Sequence, residues 1–267
     1  DGTQYIKDAI QNGAEGIVVD EETNLKELDL SNDITLIVVP NIRKAMAQAA
    51  CNFYHHPSKR LKVIGVTGTK GKTTTTFMIK GILEKQGHKV GLIGTIENYI
   101  GSASLGDSER TTPESIELRR LFAKMVDEKC DVVVMEVSSQ SLKLDRVYGT
   151  DFDIGIFTNF SEDHISAKEH PNMQDYFESK CKLFEMCKTG FVNADDVYAQ
   201  KVPKLVKNCE ITTYGIDNYC NLLAKDITIT NSYVDFKVKL GTRNERIKTC
   251  IPGRFSVYNS LAAIAVA

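Results

Sequence analysis

No two of the seven cysteines (Cys51, Cys130, Cys181, Cys187, Cys209, Cys220 and Cys250) have the CxxC spacing of a zinc site, and an odd number cannot pair completely. Free thiols in a reducing cytosol follow. Excess positive charge is missing as well. The 33 Lys and Arg against 35 Asp and Glu leave a net charge of −2, which gives no footprint for nucleic acid. No apolar run is long enough to cross a membrane as a helix. No signal peptide, internal repeat or low-complexity tract is visible. What is present is ordinary globular material: 267 residues, 42% hydrophobic, enough for one large or two modest domains.

The first 59 residues read as a helix (Tyr5 to Gln11), two strands (Gly16 to Val19, Ile34 to Val39) and a helix from about Asn41. Ile42, Ala45, Met46, Ala49 and Phe53 lie on one stripe of that second helix, the expected buried face. His55-His56-Pro57-Ser58 reads as a linker, and the two histidines as a solvated helix end, because neighbouring residues on a helix point apart. From residue 60 the pattern alternates. Strands are expected at Lys62–Thr67, Lys89–Gly94, Asp131–Val137 and Asp153–Thr158, and helices at 72–86 and Glu114–Glu128. Thr112 is the expected cap of the latter, with Pro113 at its first position. Short β-rich runs separated by helices predict an α/β fold, with a mostly parallel sheet covered on both faces. Residues 211–250 alternate as an antiparallel extension would. The close on an uncapped apolar helix (Ser260–Ala267) suggests a piece of a longer protein.

The strongest local signal is Gly65-Val-Thr-Gly-Thr-Lys-Gly-Lys-Thr-Thr74, between a buried strand and a helix. It is a variant of the phosphate loop GxxxxGK[ST], since the strict spacing between glycines is not met from Gly65 to Gly71. Glycines let backbone N–H groups wrap an anion, and the helix N-terminus adds favourable partial charge. Gly68, Thr69, Lys70, Gly71, Lys72, Thr73 and Thr74 are therefore the candidate ATP-binding residues. Lys72 would reach the outer phosphates and Thr73 would ligate Mg²⁺. A plain glycine-rich turn is the alternative. Glu136 ends an otherwise apolar strand, where open α/β sheets place ligands, and a carboxylate there suits Mg²⁺. A solvent-facing strand end is its bland alternative. On a helix, Lys180 has Tyr176, Phe177, Leu183 and Phe184 three and four residues away, so it should point inward, whereas Lys182 should face water. Snorkelling along a core edge is the competing account of Lys180. Burial would lower its pKa and leave a neutral amine able to react with CO2.

Several ordered stretches resemble the Mur ligase family. They are the loop above, Thr111-Thr-Pro-Glu-Ser115, Met135-Glu-Val-Ser-Ser-Gln-Ser-Leu142 with Arg146, Thr158-Asn-Phe-Ser-Glu-Asp-His164, Tyr176–Phe184, and Gly253-Arg-Phe-Ser-Val-Tyr-Asn-Ser-Leu-Ala-Ala263. The resemblance spans most of residues 61–263. Its closest branch adds the third amino acid, diaminopimelate or L-lysine, to UDP-MurNAc-L-Ala-D-Glu. It implies a remnant of a UDP-substrate-binding domain at 1–59 and a central ATP-binding domain at 60–267. It also implies a cytoplasmic monomer whose substrates are the nucleotide-linked dipeptide and an amino acid.

By the same resemblance, Lys72, Lys180, Glu136 and His164 would be catalytic. Thr73, Glu136, His164 and Lys180, the last as a carbamate, would hold Mg²⁺. Thr111, Thr112, Ser138 and Arg146 would bind the muramyl dipeptide and its phosphates; Thr112 has helix capping as a rival role. Asn259 would contact the nucleotide, with an N-cap role as its rival. Without the resemblance His164 is an ordinary loop histidine, and the other histidines carry no comparable signal. Two departures stand out: Gln140 replaces the family's usual histidine, and Ile165-Ser-Ala-Lys168 replaces a stretch containing Tyr-His. A folylpolyglutamate synthase-like ligase and a non-catalytic nucleotide-binding subunit are the competing readings.

Overall fold

The computed structural model describes residues 2–24, 30, 33–166, 169–240 and 242–266. Its centre is an eleven-stranded sheet of order β13-β12-β11-β10-β9-β8-β3-β7-β4-β5-β6. The middle strands β3 (Lys62–Thr67), β4 (Val90–Ile93), β7 (Val132–Glu136), β8 (Phe152–Phe157), β9 (Cys187–Asn193) and β10 (Glu210–Gly215) run parallel. The innermost of them, β3, β4, β7 and β8, are rich in apolar residues because both faces are covered. Side chains alternate: Val63 and Val133 enter one apolar cluster, Ile64 and Val134 the other.

Each face is closed by helices whose apolar stripes match it. On one side lie α4 (Ser115–Asp127), contributing Leu118, Phe122 and Met125, and α6 (Met173–Glu185), contributing Tyr176, Phe177, Leu183 and Phe184. On the other lie α3 (Lys72–Lys85), contributing Ile79 and Leu83, and α8 (Arg254–Val266), contributing Val257 and Leu261. The short α5 (Ser139–Lys143) and α7 (Val202–Leu205) follow β7 and precede β10. The antiparallel extension expected over 211–250 holds for β11 (Leu222–Ile229), β12 (Val234–Leu240) and β13 (Arg243–Thr249), while β10, at the start of that range, joins both its neighbours in parallel.

The opposite sheet edge, β5 (Glu97–Ile100) and β6 (Ala103–Asp107), is an antiparallel hairpin that the sequence pattern did not announce. Only Ile100 of these strands is buried, so apolar alternation is nearly absent, and Gly101 turns the chain at φ +56. The strand β9 was also not anticipated, because Lys188 and Thr189 interrupt its apolar run.

The N-terminal part forms α1 (Ile6–Gln11), the parallel pair β1 (Gly16–Asp20) and β2 (Thr35–Val39), and α2 (Ile42–Phe53). Its own small cluster contains Ile6, Ile17 and Val19. The expected buried stripe of α2 is corrected here. Ala47, Ala50 and Cys51 are buried, while Phe53 is 76% exposed. The helix packs on α4, and small side chains allow the close approach that the larger Ile42–Phe53 stripe would not. The linker read at His55–Ser58 is a turn with both histidines at positive φ that leads into a short 3-10 helix, Pro57–Arg60, where Pro57 and Ser58 are buried. Polar contacts join this part to the rest of the chain: Arg43 pairs with Glu114 at 3.9 Å, Asn41 donates to Asp145 at 3.3 Å, and Arg119 Nε donates to Cys51 Sγ at 2.9 Å. No helix among the described residues is long and apolar enough to cross a membrane.

Candidate functional site

The loop between β3 and α3 is built against the end of β8. Thr69 N–H donates to Asn159 O and Lys70 N–H to Asn159 Oδ1, each at 2.9 Å. Asn159 Nδ2 and Thr158 Oγ1 in turn donate to Lys70 O at 2.9 and 2.8 Å. Glycine is required at both bends. Gly68 sits at φ +144, where an added Cβ would collide with Thr158 Oγ1, and Gly71 at φ +83 would meet Asn259 Oδ1 at 2.6 Å. Asn259 is thus a buried residue inside α8 that packs on the loop, so the N-cap alternative is overturned. Beside it, Lys70, Gly71, Thr74, Tyr258 and Asn259 line a 360 Å³ cavity that also reaches Asp195. Asp195 accepts from the N–H groups of Ile216, Asp217 and Asn218 and from Tyr258 Oη, and these bonds hold its carboxyl below the usual range against the cost of burial. Lys70 extends away to Asp163 at 3.0 Å.

Two lysines converge on the loop's first carbonyl. Lys72 Nζ donates to Gly68 O at 3.0 Å and Thr69 O at 3.1 Å, and Lys180 Nζ donates to the same Gly68 O at 3.0 Å. Lys180 points inward, as its neighbours on α6 required. It is 1% exposed, and its ammonium lies 4.4 Å from the Tyr176 ring centre. Burial, reinforced by the nearby Lys72 charge, lowers its pKa well below the ordinary lysine value. Lys72 is lowered by burial too, with Glu136 opposing the shift.

Glu136 is 1% exposed at the end of β7. Its partners among the described residues are Thr73 Oγ1 at 2.9 Å, Thr95 N–H at 2.9 Å and Thr95 Oγ1 at 3.0 Å. A buried carboxylate hydrogen-bonded only by neutral donors, with the Lys72 charge nearby, is suited to a further cation. Among the described residues no three His, Cys, Asp or Glu side chains gather closely enough to enclose a metal ion alone. Glu136 is seated by Gly94, whose added Cβ would lie 2.5 Å from Oε1. Gly94→Ala is expected to displace the carboxylate and weaken Mg²⁺-dependent nucleotide binding about tenfold or more. Titrating nucleotide at fixed Mg²⁺ checks this; unchanged affinity would show that Glu136 can move without consequence.

Lys72, Thr111, Thr112, Ser138, Arg146, His164 and Lys180 line one 350 Å³ cavity, joined by Thr95, Ser139, Gln140 and Glu169. Thr112 does not cap α4, whose N-cap is Glu114. Its hydroxyl instead donates to Glu136 O at 2.9 Å and accepts from Ser138 N–H at 3.0 Å, holding the turn after β7. Ser138 caps α5 through Ser141 N–H at 3.1 Å. Arg146 is 5% exposed and pairs with Glu114 at 2.9 Å. His164 is at φ +56 and meets Glu169 Oε2 through Nδ1 at 2.8 Å. Of the divergent stretch after it, Ala167 and Lys168 lie outside the described residues.

Two contributors were missed in the sequence. Thr95 sits just past β4 in a stretch with no motif. His170 was set aside with the unremarkable histidines, yet its side chain is wholly buried between Ser139 and Asp175.

Against known proteins, the model of the Mur ligase middle domain matches residues 66–267. A UDP-N-acetylmuramoyl-L-alanyl-D-glutamate–2,6-diaminopimelate ligase of Clostridium botulinum is 48% identical over 99% of this chain and 53% of its own. The enzyme of the same name from Caldanaerobacter subterraneus is 46% identical over 100% of this chain and 54% of its own. A solved structure with that ligase name superposes with a TM-score of 0.85 at 25% identity, covering 99% of this chain and 53% of that one. The chain therefore spans about half the length of the curated relatives it matches.

Proposed function

Because the chain belongs to the Mur ligase family, we propose that it carries the ATP-binding centre of an amide-bond ligase of peptidoglycan precursor synthesis. Its reaction would join diaminopimelate to UDP-MurNAc-L-Ala-D-Glu, the activity named for its relatives in Clostridium botulinum and Caldanaerobacter subterraneus. The carrying observation is the single cavity in which the phosphate-loop lysine Lys72 and buried Lys180 face Thr111, Thr112 and Arg146. Such a cavity lets an ATP γ-phosphate and an acceptor carboxylate meet.

In this reading the backbone N–H groups of the loop grip the phosphates, and Lys72 leaves its loop carbonyls to neutralise charge on the transferring phosphoryl group. Thr73, Glu136 and His164, with Lys180 as a carbamate, would hold Mg²⁺, whose charge supplies Lewis-acid stabilisation of the phosphates. Thr111, Ser138 and Arg146 orient the acceptor. Arg146 would exchange Glu114 for a substrate anion, to which its planar fork is suited. An acyl phosphate forms, and an amine displaces phosphate from it. A substrate set of ATP, a UDP-linked precursor and a free amino acid places the enzyme in the cytoplasm, and we read it as a monomer.

The test is phosphate release by the full-length protein with ATP, Mg²⁺ and UDP-MurNAc-L-Ala-D-Glu, with diaminopimelate or L-lysine added separately. Release that depends on diaminopimelate is expected. Silence with both amino acids, or turnover of a folate substrate instead, would overturn the reading.

A further inference from the structure

The cavity wall formed by α5 holds a hydrogen-bonded chain that phosphoryl transfer does not use. Ser139 lines the cavity, and its Oγ lies 2.9 Å from His170 Nε2. His170 Nδ1 lies 2.6 Å from Asp175 Oδ2, and Lys143 Nζ donates to the same oxygen at 2.7 Å. The imidazole is 0% exposed, so Ser139 is its route to the cavity.

The chemistry of the partners sets the proton positions. A carboxylate accepts, so Nδ1 carries the hydrogen and Nε2 offers a lone pair to the Ser139 hydroxyl. The other groups facing the ring are Lys143, Lys180 and the Tyr176 ring, whose centre is 5.0 Å away. Burial lowers the His170 pKa, Asp175 opposes this, and Lys143 adds to it. The ring is therefore neutral at neutral pH and able to accept a proton. Backbone pairing with Ser166, whose N–H donates to His170 O at 2.9 Å, holds the residue in place.

We propose that Ser139, backed by His170 and Asp175, is the proton acceptor for the amine in the amide-forming step, an assignment that rests on the ligase reading above. An amine that has already lost its ammonium proton to solvent attacks the acyl-phosphate carbon. The C–N bond forms, the C–O bond to phosphorus breaks, and phosphate leaves with the electron pair. The surplus proton on nitrogen passes to Ser139 Oγ as the Ser139 proton moves to His170 Nε2. Asp175 balances the imidazolium, which returns its proton to water through Ser139 after product leaves. Ser139 is the catalytic residue of this relay; His170 and Asp175 are positioning residues that act through it.

The experiment separates the two half-reactions in the full-length protein. Hydroxylamine is a weakly basic amine, so the surplus proton on its nitrogen after attack is acidic enough to pass to water, and it traps acyl phosphate as hydroxamate with little need of a base. Ser139→Ala and His170→Gln are expected to form hydroxamate within about threefold of the native rate. Amide formation with the amino acid should fall about a hundredfold, the lower end of general-base contributions. The deficit should shrink as pH rises, because hydroxide takes over the proton, and the native amide rate should fall as pH drops and His170 becomes charged. Equal losses of hydroxamate and amide would reduce the chain to a tie between α5 and α6 and overturn the relay, as would a Ser139→Ala amide rate within twofold of native. A native protein that makes no hydroxamate at all overturns the ligase reading, and the relay with it.

Discussion

Lys180→Ala is expected to cut ATP-dependent turnover by about 10²–10³-fold, the scale of losing one preorganised electrostatic group. A lysine 1% exposed, hydrogen-bonded to no carboxylate among the described residues and beside a second lysine, is an expensive structural choice. On the proposed reading, a neutral amine at that position would react with CO2, and the resulting carbamate would replace a buried amine with an anion facing Lys72 and Mg²⁺. The sign in pH follows. The lowered pKa keeps the amine neutral at pH values where an ordinary lysine is charged, so activity should be lost as pH falls through that lowered value. Added bicarbonate should slow the loss. Short carboxylates such as acetate or propionate should restore part of the Lys180→Ala activity by filling the void with the missing oxygens. Turnover of the variant within threefold of native, or a loss that neither carboxylate repairs while thermal stability is unchanged, would sink the carbamate assignment.

Lys72→Met should be as damaging, about 10²–10³-fold in turnover, but by a different route and without rescue. At rest Lys72 holds only two carbonyls of its own loop, at 3.0 and 3.1 Å. Those contacts tie down no distant element, so the fold should survive and the melting temperature should barely move. Methionine preserves the stem and removes the charge. Nucleotide affinity should weaken less than turnover, because the loop N–H groups remain and the lysine is needed most where charge develops. Isothermal titration with a non-hydrolysable nucleotide, set beside phosphate release, makes the comparison. An equal fall in affinity and turnover would assign Lys72 to ground-state binding alone.

The sequence by itself determined whatever depends on neighbours within a turn or a strand. The parallel strands that were legible are so because burial on both faces demands a continuous apolar run, as in Val132–Met135 of β7. The phosphate loop is legible because an anion cradle needs closely spaced glycines, here Gly65, Gly68 and Gly71, and the inward aim of Lys180 because a helix sets its neighbours three and four residues away. Tertiary structure decided the rest. The Thr112 hydroxyl reads locally as a helix cap, yet its partners lie on the turn after β7, as far as 26 residues away at Ser138. Ser139 and His170 stand 31 residues apart and meet only because α5 and α6 pack together. Asn259 reaches Gly71 because α8 lies on α3, and the buried face of α2 was chosen by α4. Periodicity reports that a residue has a face. Which face is covered, and which distant polar group waits there, is set by packing between elements that the chain brings together only on folding.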